Sequence, residues 1–114
     1  MVRDTEQMKR VERPRGGKGS LELHEIMDQE ELAGRVTLFA KVVLQPWSEI
    51  GYHQHVGETE AYYVLSGRGV FQGGDGERTE VKPGDICTID EGQSHGMINT
   101  EDREMELIAL VIEK

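Results

Sequence analysis

From Ser20 to Ile112 the chain is written in short apolar and β-branched segments, each closed by Gly, Pro, Asp or Asn. That cadence constrains the fold more than any other feature, because strands of such length between turn residues belong to antiparallel sandwiches and barrels. The segments are Leu21 to Glu25, Arg35 to Leu44, Ile50 to His55, Glu60 to Leu65, Gly69 to Gln72, Arg78 to Val81, Ile86 to Ile89, His95 to Ile98 and Met105 to Ile112. Fourteen glycines against three prolines supply the turns that so many strands require. Between the first two segments, Asp28 to Ala33 reads as one helical turn, with Asp28 as its cap and Glu31 three residues on. Leu107 to Ile112 is apolar at successive positions, which predicts a central strand covered on both faces.

A chain of 114 residues has room for one core. Its 36% hydrophobic and 31% charged residues suit a folded domain rather than a disordered one. The 22 Asp and Glu outweigh 13 Lys and Arg for a formal charge of −9, which repels nucleic-acid phosphates and anionic membrane surfaces. The longest apolar run, Leu107 to Ile112, is far short of the ~18–20 residues of a membrane span. Neither nucleic acid nor membrane is an expected partner. The first residues, MVRDTEQMKRVERPR, hold no apolar block of the secretory kind, and the single cysteine, Cys87, has no internal partner; a cytoplasmic location is expected. Residues 1–18 read as a polar, basic, loosely held arm ahead of one domain at 19–114. Their Gly-Gly-Lys-Gly string lacks the spacing of a phosphate-binding loop.

Chemistry enters with the histidines, of which there are four: His24, His53, His55 and His95. His53-Gln54-His55 lies in a strand-like run, so the two imidazoles share a face about 6–7 Å apart and can converge on one ion. Gly57 permits a reversal after which Glu60 begins a strand paired with the one carrying the histidines. A carboxylate there is costly to bury unless a cation or strong donors meet it. Glu58 sits in the turn and reads as solvated, His24 alternates out of phase with Leu21 and Leu23 and reads as a surface residue, and Arg35 and Lys41 read as facing solvent. Cys87, in an apolar run, reads as a small buried hydrophobe.

These residues fall on two motifs of one family, and the chain resembles the cupins. The first cupin motif runs Gly, five residues, His-x-His, three or four residues, Glu, six residues, Gly. His53, His55, Glu60 and Gly67 are in register with it, and Trp47 replaces the leading glycine. The second runs Gly, five residues, Pro, one residue, Gly, two residues, His, three residues, Asn. Gly84, Gly92, His95 and Asn99 match, with Asp90 in place of the proline.

The resemblance implies an all-β fold, the antiparallel double-stranded β-helix or jelly-roll barrel, with at most one short helical turn. It implies a divalent transition metal held by His53, His55, Glu60 and His95. Three imidazoles and a carboxylate suit Mn or Fe, and also Zn, Ni, Co or Cu. Tyr62 and Met97, each two residues beyond a ligand position, are expected in the pocket; Tyr52 is a third candidate, though alternation turns it to the other face unless a bulge intervenes. The activity implied is that of a small metalloenzyme acting on an organic acid or sugar-derived acid by decarboxylation, isomerisation or dioxygenation. The alternative is a non-catalytic module that binds a small carboxylate. Cupins commonly pair, so a homodimer is expected, with the N-terminal arm as a segment for exchange.

Overall fold

The computed structural model describes residues 1–114. Ten strands follow in chain order: β1 (Lys9–Glu12), β2 (Ser20–Met27), β3 (Val36–Leu44), β4 (Glu49–Gln54), β5 (Glu58–Ser66), β6 (Gly69–Gln72), β7 (Arg78–Val81), β8 (Ile86–Ile89), β9 (Ser94–Asn99) and β10 (Met105–Glu113). They form two antiparallel sheets, a six-stranded one in the order β1-β2-β3-β10-β5-β8 and a four-stranded one in the order β4-β9-β6-β7. No helix is long and apolar enough to cross a membrane. The one α-helix, α1 (Gln29–Leu32), is a single turn. It is held by the capping box read from the sequence: the Asp28 carboxylate accepts from the Glu31 amide at 2.9 Å, and the Glu31 carboxylate accepts from the Asp28 amide at 3.0 Å.

The core lies between the sheets. On β10, Met105, Leu107, Ala109 and Val111 alternate inward and are buried, as period-two patterning requires of a strand between two neighbours. Val42 and Leu44 from β3, Val64 from β5, Ile50 from β4 and Met97 from β9 complete the same cluster. Ala109 sits between Ala40 on one side and Tyr62 on the other, so two small side chains leave room beside a large ring. Asn99 fastens one end of the sandwich. Its side-chain amide donates to the carbonyls of Leu44, Gln45 and Arg103 at 3.1, 3.0 and 2.8 Å, and its carbonyl accepts from the Glu101 amide at 3.1 Å.

Two readings are corrected here. Residues 1–18 are not a loose arm: Lys9 to Glu12 pairs with Leu23 to Ser20 as an added edge strand, and a 3-10 turn at Pro14–Gly16 packs on β4. The pairing is hidden in the sequence because KRVE is nearly all charged, as an edge strand with one solvated face tolerates. The second concerns β4 and β5, which are not paired neighbours. β4 bonds to β9 in one sheet, and β5 lies between β10 and β8 in the other. The Gly57 turn, at φ 75, therefore carries the chain across the sandwich rather than back along one sheet. Glu60 consequently faces the histidines from the opposite wall.

The two departures from the motif are accommodated locally. Trp47 adopts φ 59, the left-handed conformation that the motif's glycine takes without steric cost. The Asp90 amide donates to the Gln93 side chain at 2.8 Å, a bond that the usual proline cannot make.

Candidate metal centre

His53 and His95 are direct cross-strand partners on β4 and β9. A register shift between Ile50 and His53 explains how Ile50 and His53 both face inward although they are three apart. Plain alternation with His53 leaves Tyr52 45% exposed on the outside, its hydroxyl donating to the Gly73 carbonyl at 2.8 Å, so of its two expected placements the outer face holds and Tyr52 is not a pocket residue. His55 follows the end of β4 and is buried, and Glu60 on β5 is buried opposite.

The four side chains converge, with every donor atom within 4.8 Å of the others. His55 Nε2 lies 3.0 Å from both His53 Nε2 and His95 Nε2. Glu60 Oε1 lies 2.9 Å from the Nε2 atoms of both His55 and His95. The other ring nitrogens explain what these distances mean. His53 Nδ1 is 2.6 Å from the Gly51 carbonyl, and His55 Nδ1 is 2.5 Å from the Glu58 carboxylate. Both partners are acceptors, so each Nδ1 carries the proton and each Nε2 presents a bare lone pair to the centre. Lone pairs facing one another at 3.0 Å repel unless a cation lies among them. Two ligands at ~2.1 Å from one ion and at right angles to each other are about 3.0 Å apart. The donor set thus fits a divalent transition metal with further positions to spare.

Glu58 is accordingly corrected from a solvated turn residue to the group that orients His55. Its signal in the sequence was its position three residues after a ligand-type histidine, which the turn hairpins back onto the ring. His24 is corrected as well. Its ring is only 13% exposed, within 2.9 Å of the Thr5 carbonyl and 3.5 Å of Glu22, because the N-terminal segment covers it. Lys41 lies 3.5 Å from Glu106, and Arg35 bonds the Glu113 carbonyl at 3.5 Å; both are remote from the cluster.

Two aromatic rings pack on His95. Tyr62 stacks on His95 with centroids 4.9 Å apart and planes 12° from parallel, and Phe71 meets the same ring edge-on at 5.9 Å. Burial, reinforced by the neighbouring Glu60 carboxylate, pushes the Tyr62 phenol well above its ordinary range, so it remains a protonated donor. Burial holds the His53 imidazole below its usual value, against the opposing bond from Gly51, which favours the neutral ligand form. Cys87 is buried beside Tyr62 on the paired strand, and burial raises its thiol to about 11. That is the inert state of a packing residue.

The cluster opens on a cavity of ≈ 220 Å³ between the sheets, bordered by His53, Glu60, Tyr62 and Arg15 among mostly aliphatic residues. Met97 is fully buried beneath the site and does not border this cavity. Arg15 escaped the sequence reading altogether, since nothing in a Gly- and Arg-rich segment indicates that it folds back to a site 38 residues ahead of it in the chain.

Comparison with known proteins agrees with this geometry. The "Cupin domain" family matches residues 40–112, which include all four donors. An oxalate-binding protein of Thermotoga maritima is 40% identical over 103 residues, 90% of this chain and 84% of the relative. A crystal structure described as a predicted oxalate decarboxylase from Thermotoga maritima superposes over 100% of both chains with a TM-score of 0.94 at 37% identity. KdgF from Halomonas sp. shares the fold at 18% identity, with a TM-score of 0.71 over 82% of this chain and 79% of that one. With its barrel, both motifs and the matched residues in place, the chain belongs to the cupin family.

Proposed function

We propose that this cupin holds one divalent transition metal, Mn or Fe before Zn, Ni, Co or Cu, at His53, His55, Glu60 and His95, and uses it to bind a small carboxylate. The observation that carries the reading is the convergence of three imidazole Nε2 atoms and one carboxylate oxygen in a cluster whose His53 and Glu60 border a largely aliphatic cavity. A divalent ion with three neutral imidazoles and one carboxylate leaves a net charge of about +1 at the centre. A small anion is therefore drawn inward although the whole chain carries −9. The metal supplies a Lewis acid there. Glu60 neutralises part of its charge, Tyr62 offers a hydroxyl proton to a bound oxygen, and the aliphatic walls exclude water and strengthen each of these contacts. Oxalate is the first ligand to test, since a relative 40% identical is named for binding it.

A second reading is turnover of the bound acid beside Tyr62, which borders the same cavity and whose hydroxyl, held protonated, would serve as a hydrogen-bond donor rather than as a proton-transferring acid. Isothermal titration of oxalate into Mn(II)-loaded and metal-free protein separates the possibilities. Metal-dependent heat without CO2 release or O2 uptake supports a binding module, and either gas change supports an enzyme. Equal binding with and without metal, or none with any of the divalent ions Mn, Fe, Co, Ni, Cu and Zn, would sink the proposal.

We also infer a homodimer in the cytoplasm. Ile108, Tyr63 and Ile86 form a cross-strand row on the outer face of β10, β5 and β8, with Tyr63 44% and Ile86 60% exposed. A single buried free cysteine suits a reducing compartment. Recovery of the native protein from an extracytoplasmic fraction would contradict that location.

A further inference from the structure

The geometry points to Arg15 as the residue that selects a second carboxylate on the ligand, making dicarboxylates the preferred class over monocarboxylates. The inference rests on the metal-dependent carboxylate binding proposed above and adds a residue that neither cupin motif contains.

Three observations carry it. Arg15 is the only cation bordering the cavity that also exposes His53, Glu60 and Tyr62. Its side chain is exposed and its guanidinium forms no ion pair and no hydrogen bond within the protein; Arg13, Arg68 and Arg78 are unpaired too, but none of them borders this cavity. An unpaired guanidinium at the border of an aliphatic cavity is a fork for a planar carboxylate. Finally, its backbone is strained. Arg15 adopts φ 53 and ψ 34, and Arg13 adopts φ 49, in a turn that has glycine beside it for such conformations.

The fold holds that strain deliberately close to the metal ligands. The turn is closed by bonds from the Gly16 amide to the Arg13 carbonyl at 2.9 Å and from the Gly17 amide to the Pro14 carbonyl at 3.0 Å. It lies flat on β4 where neither surface has a side chain. A Cβ on Gly51 would fall 2.2 Å from the Arg15 carbonyl, and one on Gly17 would fall 2.2 Å from the Glu49 carbonyl. Gly51 is also the residue whose carbonyl orients His53, so one short stretch of β4 seats both a metal-ligand imidazole and the arginine turn.

The test is titration of oxalate and of acetate into Mn(II)-loaded parent, Arg15→Gln, Arg15→Lys and Arg15→Gly proteins, with Mn(II) stoichiometry and melting temperature measured on each. We expect the preference for oxalate over acetate to fall at least ~10-fold in Arg15→Gln and in Arg15→Gly and to recover in part in Arg15→Lys, the remainder being the chelation of the metal by both oxalate carboxylates. Acetate affinity and Mn(II) stoichiometry are expected to stay at the parent values. Arg15→Gly relieves the left-handed strain and is expected to melt no lower than the parent, which a purely structural arginine would not allow. An unchanged oxalate-to-acetate ratio in Arg15→Gln, with oxalate still bound through the metal, would overturn the role of Arg15 and leave the carboxylate reading standing. A parent protein that bound neither anion would overturn both.

Discussion

At the scale of single residues, the centre depends on second partners as much as on ligands. Glu58 is the sharpest case, since its carboxylate 2.5 Å from His55 Nδ1 fixes which nitrogen faces the ion. Glu58→Ala is expected to weaken Mn(II) affinity about 10–100-fold with the fold intact, as measured by competition with a chelator. An affinity equal to the parent would show that His55 needs no orienting group. The residue scale also shows what the sequence could and could not convey. The grouping of His53, His55, Glu60 and His95 was legible through the resemblance to the cupin motifs; alternation alone joins only His53 and His55, and spacing does not select His95. The placement of Glu58, His24 and Arg15 was not legible, because each depends on a chain reversal or a covering segment with no periodic signature. Tyr52 lies on the outer face, as its alternation with His53 requires; the bulge displaces Ile50 relative to His53 and does not bring Tyr52 inward.

At the scale of elements, strand positions were legible to within a few residues, because each apolar run ends in a turn former. The division of strands between two sheets was not: Gly57 permits a hairpin and a crossing equally well, and only the packing of the whole sandwich selects the crossing. β1 escaped notice for the opposite reason, its charged sequence giving no apolar alternation. The joints between elements matter most where one polar side chain serves several of them. Asn99 ties the end of β9 to the end of β3 and to the loop before β10, while buried to 1% exposure. Asn99→Ala leaves three carbonyls without this donor and is expected to cost about 2–4 kcal/mol of unfolding free energy. Urea denaturation of metal-free protein at fixed concentration checks this, and a loss below about 0.5 kcal/mol would mean that solvent replaces the clamp.

At the scale of the whole molecule, charge and shape are arranged in layers. The chain carries a net charge of −9, a cationic centre is proposed inside, and an apolar row of Ile108, Tyr63 and Ile86 lies on the outer face of the six-stranded sheet. Exposed apolar patches of this kind mark interaction surfaces more often than they occur by chance on monomers. Light scattering is expected to return twice the 12.8 kDa of one chain, and Tyr63→Glu with Ile86→Glu to return one. A parent protein measured at 12.8 kDa in the tens-of-micromolar range would refute the dimer. Every functional statement about the molecule nevertheless rests on the metal. The most direct test is elemental analysis of protein equilibrated with Mn(II) and dialysed, alongside His53→Ala and His95→Ala variants whose circular dichroism matches the parent. One Mn(II) per chain in the parent and nearly none in either variant is the predicted result; variants that retain Mn(II) as fully as the parent would contradict the account.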